Sequence, residues 1–142
     1  MRFDNRTNSL WIRDAANFAS TLLTRGSKLE QEIFSKDDWK FDNIQNGSEV
    51  SYKLIDVKRP IIPILTFKSI NPWTSSLGYF QDGVININIR KFSNMSDKEI
   101  IGLLLHEYAH YCGFTHGNNF KTEEKCKFSV PYFLSENVSK WI

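Results

Sequence analysis

Ser96-Asp97-Lys98-Glu99-Ile100-Ile101-Gly102-Leu103-Leu104-Leu105-His106-Glu107-Tyr108-Ala109-His110-Tyr111-Cys112-Gly113-Phe114-Thr115-His116 is the stretch on which the reading of this chain turns. Ser96 and Glu99 stand three apart at its start, the spacing of a capping box. In that motif a hydroxyl serves one orphan amide of the first helical turn and a carboxylate serves another. A helix is therefore predicted from there. Its residues Ile100, Ile101, Leu103, Leu104, Leu105, Tyr108, Ala109, Tyr111 and Cys112 are apolar on nearly all sides, which predicts a central buried helix. Any polar group on such a helix must have a reason to be there.

The polar groups are His106, Glu107 and His110, in the pattern H-E-x-x-H. At 100° and 1.5 Å per residue the two imidazoles lie about 40° apart in azimuth and about 6 Å apart in height, so both reach one metal ion. Glu107 points about 100° away from His106, too far round to be a ligand of that ion but near enough to hold a water facing it. That is the division of labour of a zinc hydrolase. Were the helix to continue, His116 would stand about 15 Å along the axis from His106. The chain must turn back, and Gly113 is the residue able to adopt the left-handed conformation that ends a helix. The three residues after it span roughly 10 Å, enough to return an imidazole to the metal. His106, His110 and His116 are the only histidines among the 142 residues. Three placed at random would fall at this spacing, with Glu and Gly where they are, about once in a million.

Outward from this stretch, Val84-Ile85-Asn86-Ile87-Asn88-Ile89-Arg90 alternates strictly. It predicts a strand with Ile85, Ile87 and Ile89 on a packed face and Asn86, Asn88 and Arg90 on a wet one. Asp82-Gly83 before it is a hairpin signal, with a short strand from Gly78 to Phe80. Ile61 to Lys68 is a further strand, and Pro63 within it suggests a sheet edge or a bulge. Val50, Tyr52 and Leu54 alternate with Ser51, Lys53 and Ile55, which predicts another strand from Val50 to Lys58, closed by Arg59-Pro60. Asn71-Pro72-Trp73 reads as a loop. Leu10, Trp11, Phe18, Leu22 and Leu23 predict an N-terminal helix that Gly26 stops, and a shorter one follows from Lys28 to Phe34. Pro131 suits the first turn of a final helix running to Ile142.

The motif H-E-x-x-H-x-x-G-x-x-H, carried here by His106, Glu107, His110, Gly113 and His116, resembles the zinc signature of the metzincin clan of metallopeptidases. The resemblance covers about 11 residues tightly. It implies an α+β fold, a small zincin-like domain with a mixed twisted sheet, an N-terminal helix, a central active-site helix and a C-terminal helix, filling residues 1–142 as one catalytic domain. It implies Zn2+ held by His106, His110 and His116, with Glu107 as general base and acid. It also implies an edge strand above the active-site helix that aligns a substrate peptide by adding it as an antiparallel strand, for which Val84 to Arg90 is the candidate. Metzincins carry a methionine turn after the third histidine, whereas this chain's two methionines, Met1 and Met95, both precede the motif. Some members place a tyrosine after that turn which stabilises the reacting oxyanion. Tyr132 is the candidate for that role, against the alternative of a core tyrosine on the last helix.

The expected activity is hydrolysis of peptide bonds in a protein or peptide. The rival is a zinc-dependent endoribonuclease resembling a bacterial ribosome-maturation family with an H-x-x-x-H-x-x-x-x-x-H signature, which typically has glycine in place of Glu107. A peptide bond has a poor leaving group that must be protonated, so a positioned carboxylate favours the peptidase. A formal charge of +2 gives no support for nucleic acid as a partner. Cys112 and Cys126 are too few for a disulfide scaffold; they could form one bridge but are expected as buried free thiols, with a zinc-blocking thiolate the other alternative for Cys126. With no apolar run near the roughly 20 residues of a membrane span, and no secretory leader at Met1 to Asn8, a soluble cytoplasmic protein is expected unless another export route serves it.

Overall fold

Two helices carry the apolar stripes that organise the core. The computed structural model of the protein describes residues 3–5, 10–59, 61–69, 78–92, 95–118 and 120–142. Helix α1 (Leu10–Leu22) presents Ile12, Ala15, Ala16, Ala19 and Leu22 on one buried face, and the run of alanines lets it lie close against helix α5 (Asp97–Tyr111). Gly26, at φ 86°, turns the chain into α2 (Lys28–Ser35), whose N-cap Ser27 accepts from the Glu30 amide. Arg25 at this corner donates to Ser51 at 2.8 Å and to Asp56 at 2.9 Å and also binds Glu30, tying α1, α2 and the following segment together.

That following segment corrects the strand expected from Val50 to Lys58. Residues Gly47–Ser51 form a helix, α3, and Tyr52–Asp56 continue it as one wider helical turn. The periodicity was ambiguous: Val50 and Leu54, four apart, are both buried, while Tyr52, which a strand would place on their side, is 57% exposed. The start is marked by Asn46, whose side chain accepts from the Glu49 amide at 3.0 Å, while Glu49 accepts from the Gln45 amide at 2.8 Å. The Leu54 carbonyl accepts the buried Tyr108 hydroxyl at 2.9 Å, joining this segment to α5.

The sheet is mixed and, among the described residues, has four strands in the order β1-β2-β4-β3: β1 (Phe3–Asn5), β2 (Ile62–Phe67), β3 (Gly78–Gln81) and β4 (Val84–Asn88). The first two pairings are parallel, and β3 returns antiparallel to β4 through Asp82 and Gly83, both at positive φ as the hairpin signal predicts. Ile62, Ile64, Ile85 and Ile87 are fully buried against the helices. Three expectations need correction here. Pro63 is not on an edge strand: β2 lies inside the sheet, and the proline sits opposite Asp4 of the three-residue β1, just before pairing with β4 begins at Ile64. The strand from Val84 stops at Asn88, where a helical turn, α4 (Ile89–Phe92), begins and leaves Ile89 43% exposed. Asn88 is buried rather than wet, its side chain accepting from the amides of Ser69 and Arg90. The loop expected at Asn71-Pro72-Trp73 lies outside the described residues.

After α5, helix α6 (Glu123–Phe128) leads into α7 (Val130–Glu136), which ends earlier than expected; Val138–Lys140 form a separate single turn. Helix α7 packs on α5 at Gly102, where an added Cβ would stand 3.0 Å from the Ser135 carbonyl oxygen. The Trp141 indole donates to Glu32 at 2.8 Å and anchors the C-terminal turn to α2. Cys112 and Cys126 are free, the first buried and the second half-buried. Among the described residues no helix is long and apolar enough to cross a membrane.

Candidate metal centre

Helix α5 opens on Ser96, whose side chain accepts from the Glu99 amide at 3.2 Å. It closes on a Schellman turn: the Gly113 amide reaches the His110 carbonyl at 2.9 Å and the Phe114 amide reaches that of Ala109 at 3.0 Å. Gly113 takes φ 97°, the left-handed value the sequence assigned to it, and the chain doubles back beneath the helix. His116 is thereby returned to the two helical histidines.

The three imidazoles converge through their Nε2 atoms. His110 Nε2 stands 3.2 Å from His106 Nε2 and 3.2 Å from His116 Nε2, and the three candidate ligand atoms all lie within 4.8 Å of one another. They are close enough to bind a metal ion. The opposite nitrogens settle the tautomers. His110 Nδ1 donates to the Phe114 carbonyl at 2.8 Å and His116 Nδ1 to the Asn118 carbonyl at 3.1 Å, while His106 makes its hydrogen bond to the Pro131 backbone. With each outward nitrogen spent on a backbone carbonyl, each Nε2 carries a lone pair directed inward. Burial and the neighbouring rings push His106 down to about 3, and burial first of all lowers His110 and His116 as well. The rings are therefore neutral, as ligands must be.

Glu107 faces the same cleft and is 6% exposed. Burial pushes its carboxyl up to about 7, partly opposed by a hydrogen bond from the Phe80 backbone amide. Tyr132, from α7, is brought to the site as well: its ring centroid lies 4.5 Å from that of His116 and 4.7 Å from that of His106. The aromatic ring thus packs against two of the three imidazoles. Cys126 is not among the side chains whose ligand atoms converge.

The cleft encloses about 1140 Å³ and runs between β3, α5 and α7, with Gly78, Phe80, Leu103, Tyr132 and Glu136 on its walls. The strand bordering it is β3; the expected candidate, Val84 to Arg90, lies one strand further in. In a two-residue hairpin the flanking pair exchanges hydrogen bonds, so Gln81–Val84 and Tyr79–Asn86 bond across the ladder. Gly78 then turns its amide and carbonyl, and Phe80 its carbonyl, to the outer edge of the sheet among the described residues, the Phe80 amide being spent on Glu107.

Sequence reasoning missed the groups that orient the histidines. The carbonyls of Phe114, Asn118 and Pro131 leave no trace in a sequence, since every residue has one. Asp42 was also missed. It accepts from the Thr115 amide at 2.8 Å and the Thr115 hydroxyl at 2.5 Å, across 73 positions of chain, and its own φ of 67° is a conformation Asp tolerates better than most residues. The chain matches no family model, no curated protein and no solved structure in the comparisons made with each.

Proposed function

We propose that the protein is a zinc-dependent endopeptidase of metzincin-like, zincin-type design, and the observation that carries this is the convergence of three unprotonated Nε2 atoms beside a buried carboxylate. Lone pairs at 3.2 Å repel one another, and a cation among them reverses the sign of that interaction. The two 3.2 Å separations from His110 suit zinc: tetrahedral bonds of about 2.0–2.1 Å put neighbouring ligand atoms about 3.3 Å apart. Three neutral imidazoles are also a donor set that zinc favours.

Zinc bound there would supply a Lewis acid that polarises a scissile carbonyl and acidifies a water. The chain's own residues do the rest. Glu107, buried in the cleft beside the three imidazoles, is placed both to take a proton from the attacking water and to deliver it to the leaving amine. Gly78 and the Phe80 carbonyl on the outer edge of β3 offer backbone hydrogen bonds to an extended peptide lying in the cleft. Tyr132 lines the same cleft, and its hydroxyl, kept protonated by burial, is assigned to the oxyanion that forms as the carbonyl is attacked.

The decisive experiment pairs metal analysis with hydrolysis of casein. Glu107→Ala should retain about one zinc per chain and lose cleavage by at least about 100-fold. Unchanged cleavage would refute the role given to Glu107. Metal-dependent cleavage of structured RNA with none of casein would move the reading to the ribonuclease class.

A further inference from the structure

Lys125 lies on α6 with no direct place in the chemistry above, yet it is 7% exposed and, among the described residues, has no carboxylate in an ion pair with it. A buried, unpaired ammonium is costly and needs its protons matched by oxygens. They are: Nζ donates to the Asn118 carbonyl at 2.9 Å, to Asn118 Oδ1 at 2.5 Å and to the Phe120 carbonyl at 2.5 Å. The first of these oxygens is the one that also accepts from His116 Nδ1. One carbonyl therefore joins the buried charge to the imidazole.

Beyond His116, Gly117 takes φ 78°, with open space where a Cβ would stand. On the other flank Asp42 grips Thr115 by its amide and hydroxyl. His116 thus sits between two clamps from distant parts of the chain. Asp42 sets where the loop crosses beneath α5, and the Asn118 carbonyl sets how the ring is turned.

We infer that Lys125 is a positioning residue for the metal centre, acting through the Asn118 carbonyl to hold the His116 imidazole with Nε2 toward His106 and His110. This rests on the reading of the three histidines as metal ligands. Outer partners of metal-bound histidines typically change affinity by about 10–100-fold when removed. Loss of the Lys125 clamp should act at that level, and only while His116 is present.

The test is a cycle on the full chain, with zinc and cobalt affinities measured by competition against a chromophoric chelator. Lys125→Met should weaken both metals about 10–100-fold and shift the visible bands of the cobalt-loaded protein, and Lys125→Arg should regain part of the loss. In a His116→Ala background Lys125→Met should weaken binding no further. Lys127→Met, two residues on and on the opposite side of α6, where it pairs with exposed Glu123, should match the wild type. Unchanged affinity in Lys125→Met, or an equal loss with and without His116, would overturn the inference. If Lys125→Met does not fold by circular dichroism, Asn118→Ala, which removes one of the three acceptors, decides by the same comparison. Wild-type chain that takes up neither metal would overturn the metal reading and this inference together, whereas tight wild-type binding with no Lys125 effect would overturn this inference alone.

Discussion

At the scale of single residues the site is a set of buried and half-buried polar groups, each with its desolvation partly opposed by a backbone contact. The three histidines are tied to backbone carbonyls, and Glu107 accepts from the Phe80 amide. A pH dependence follows from Glu107. Its carboxyl stands near 7 in the folded chain against an ordinary 4.5, so between those values the metal-free folded chain keeps a proton that the unfolded chain has released. Stability from this group is therefore present at low pH and lost as pH rises from about 4.5 to about 7. Glu107→Gln, which mimics the protonated form, should gain on the wild type across that window by up to about 3 kcal/mol and run parallel to it above. Urea titrations in the presence of a chelator at several pH values measure this directly. His106 has the opposite sign, since a ring held down to about 3 costs stability as pH falls below its ordinary 6.5; the difference between the two variants removes that shared contribution. Parallel curves throughout would mean that Glu107 titrates normally. The positions of His106, Glu107 and His110 could be read from helical geometry alone, because a helix has one pitch. Their hydrogen-bond partners could not, because carbonyls are anonymous in a sequence.

At the scale of elements, what matters is which strand borders the cleft and how closely two helices approach. The alternation at Val84 to Asn88 made β4 the most legible strand, but legibility came from its buried isoleucines, and burial on this scale is a property of an interior strand. The edge went to the short, weakly patterned β3. The segment from Val50 failed in the opposite way, since Val50 and Leu54 satisfy a helical period as well as a strand's, and only the Asn46 and Glu49 caps distinguish them. The approach of α7 to α5 is set by Gly102, and α7 carries both Tyr132 and the Pro131 backbone group that orients His106. Gly102→Ala should force α7 outward, lowering stability by about 1–3 kcal/mol and weakening metal binding in the same variant. Thermal melting and metal competition, measured together, test this. Lost stability with undiminished affinity would show that α7 does not govern the site.

At the scale of the whole molecule, the candidate metal site draws on segments far apart in the chain: α5 and the loop after it supply the imidazoles, Asp42 holds that loop, and α7 brings Tyr132 against two of the rings. A cation bound to such a site binds the folded chain and not the unfolded one, so metal and fold are linked. Zinc at about 100 times its dissociation constant should stabilise the wild type by about 2.7 kcal/mol, a readily measured rise in melting temperature, and His116→Ala should lose most of that rise at the same zinc concentration. An equal rise in both proteins would mean that the ion binds elsewhere. By itself the sequence determined the central helix, its caps, the left-handed glycine that ends it and the residues able to share one ion, because these depend on pitch, capping chemistry and chain reach over neighbouring residues. Only the tertiary structure decided that Nε2 is the nitrogen each ring turns toward the others, that β3 is the edge strand among the described residues, that Asp42 and Lys125 reach the loop carrying His116, and that the candidate Tyr132 packs on the imidazoles. Those depend on contacts between residues distant in the chain, whose packing no local pattern encodes.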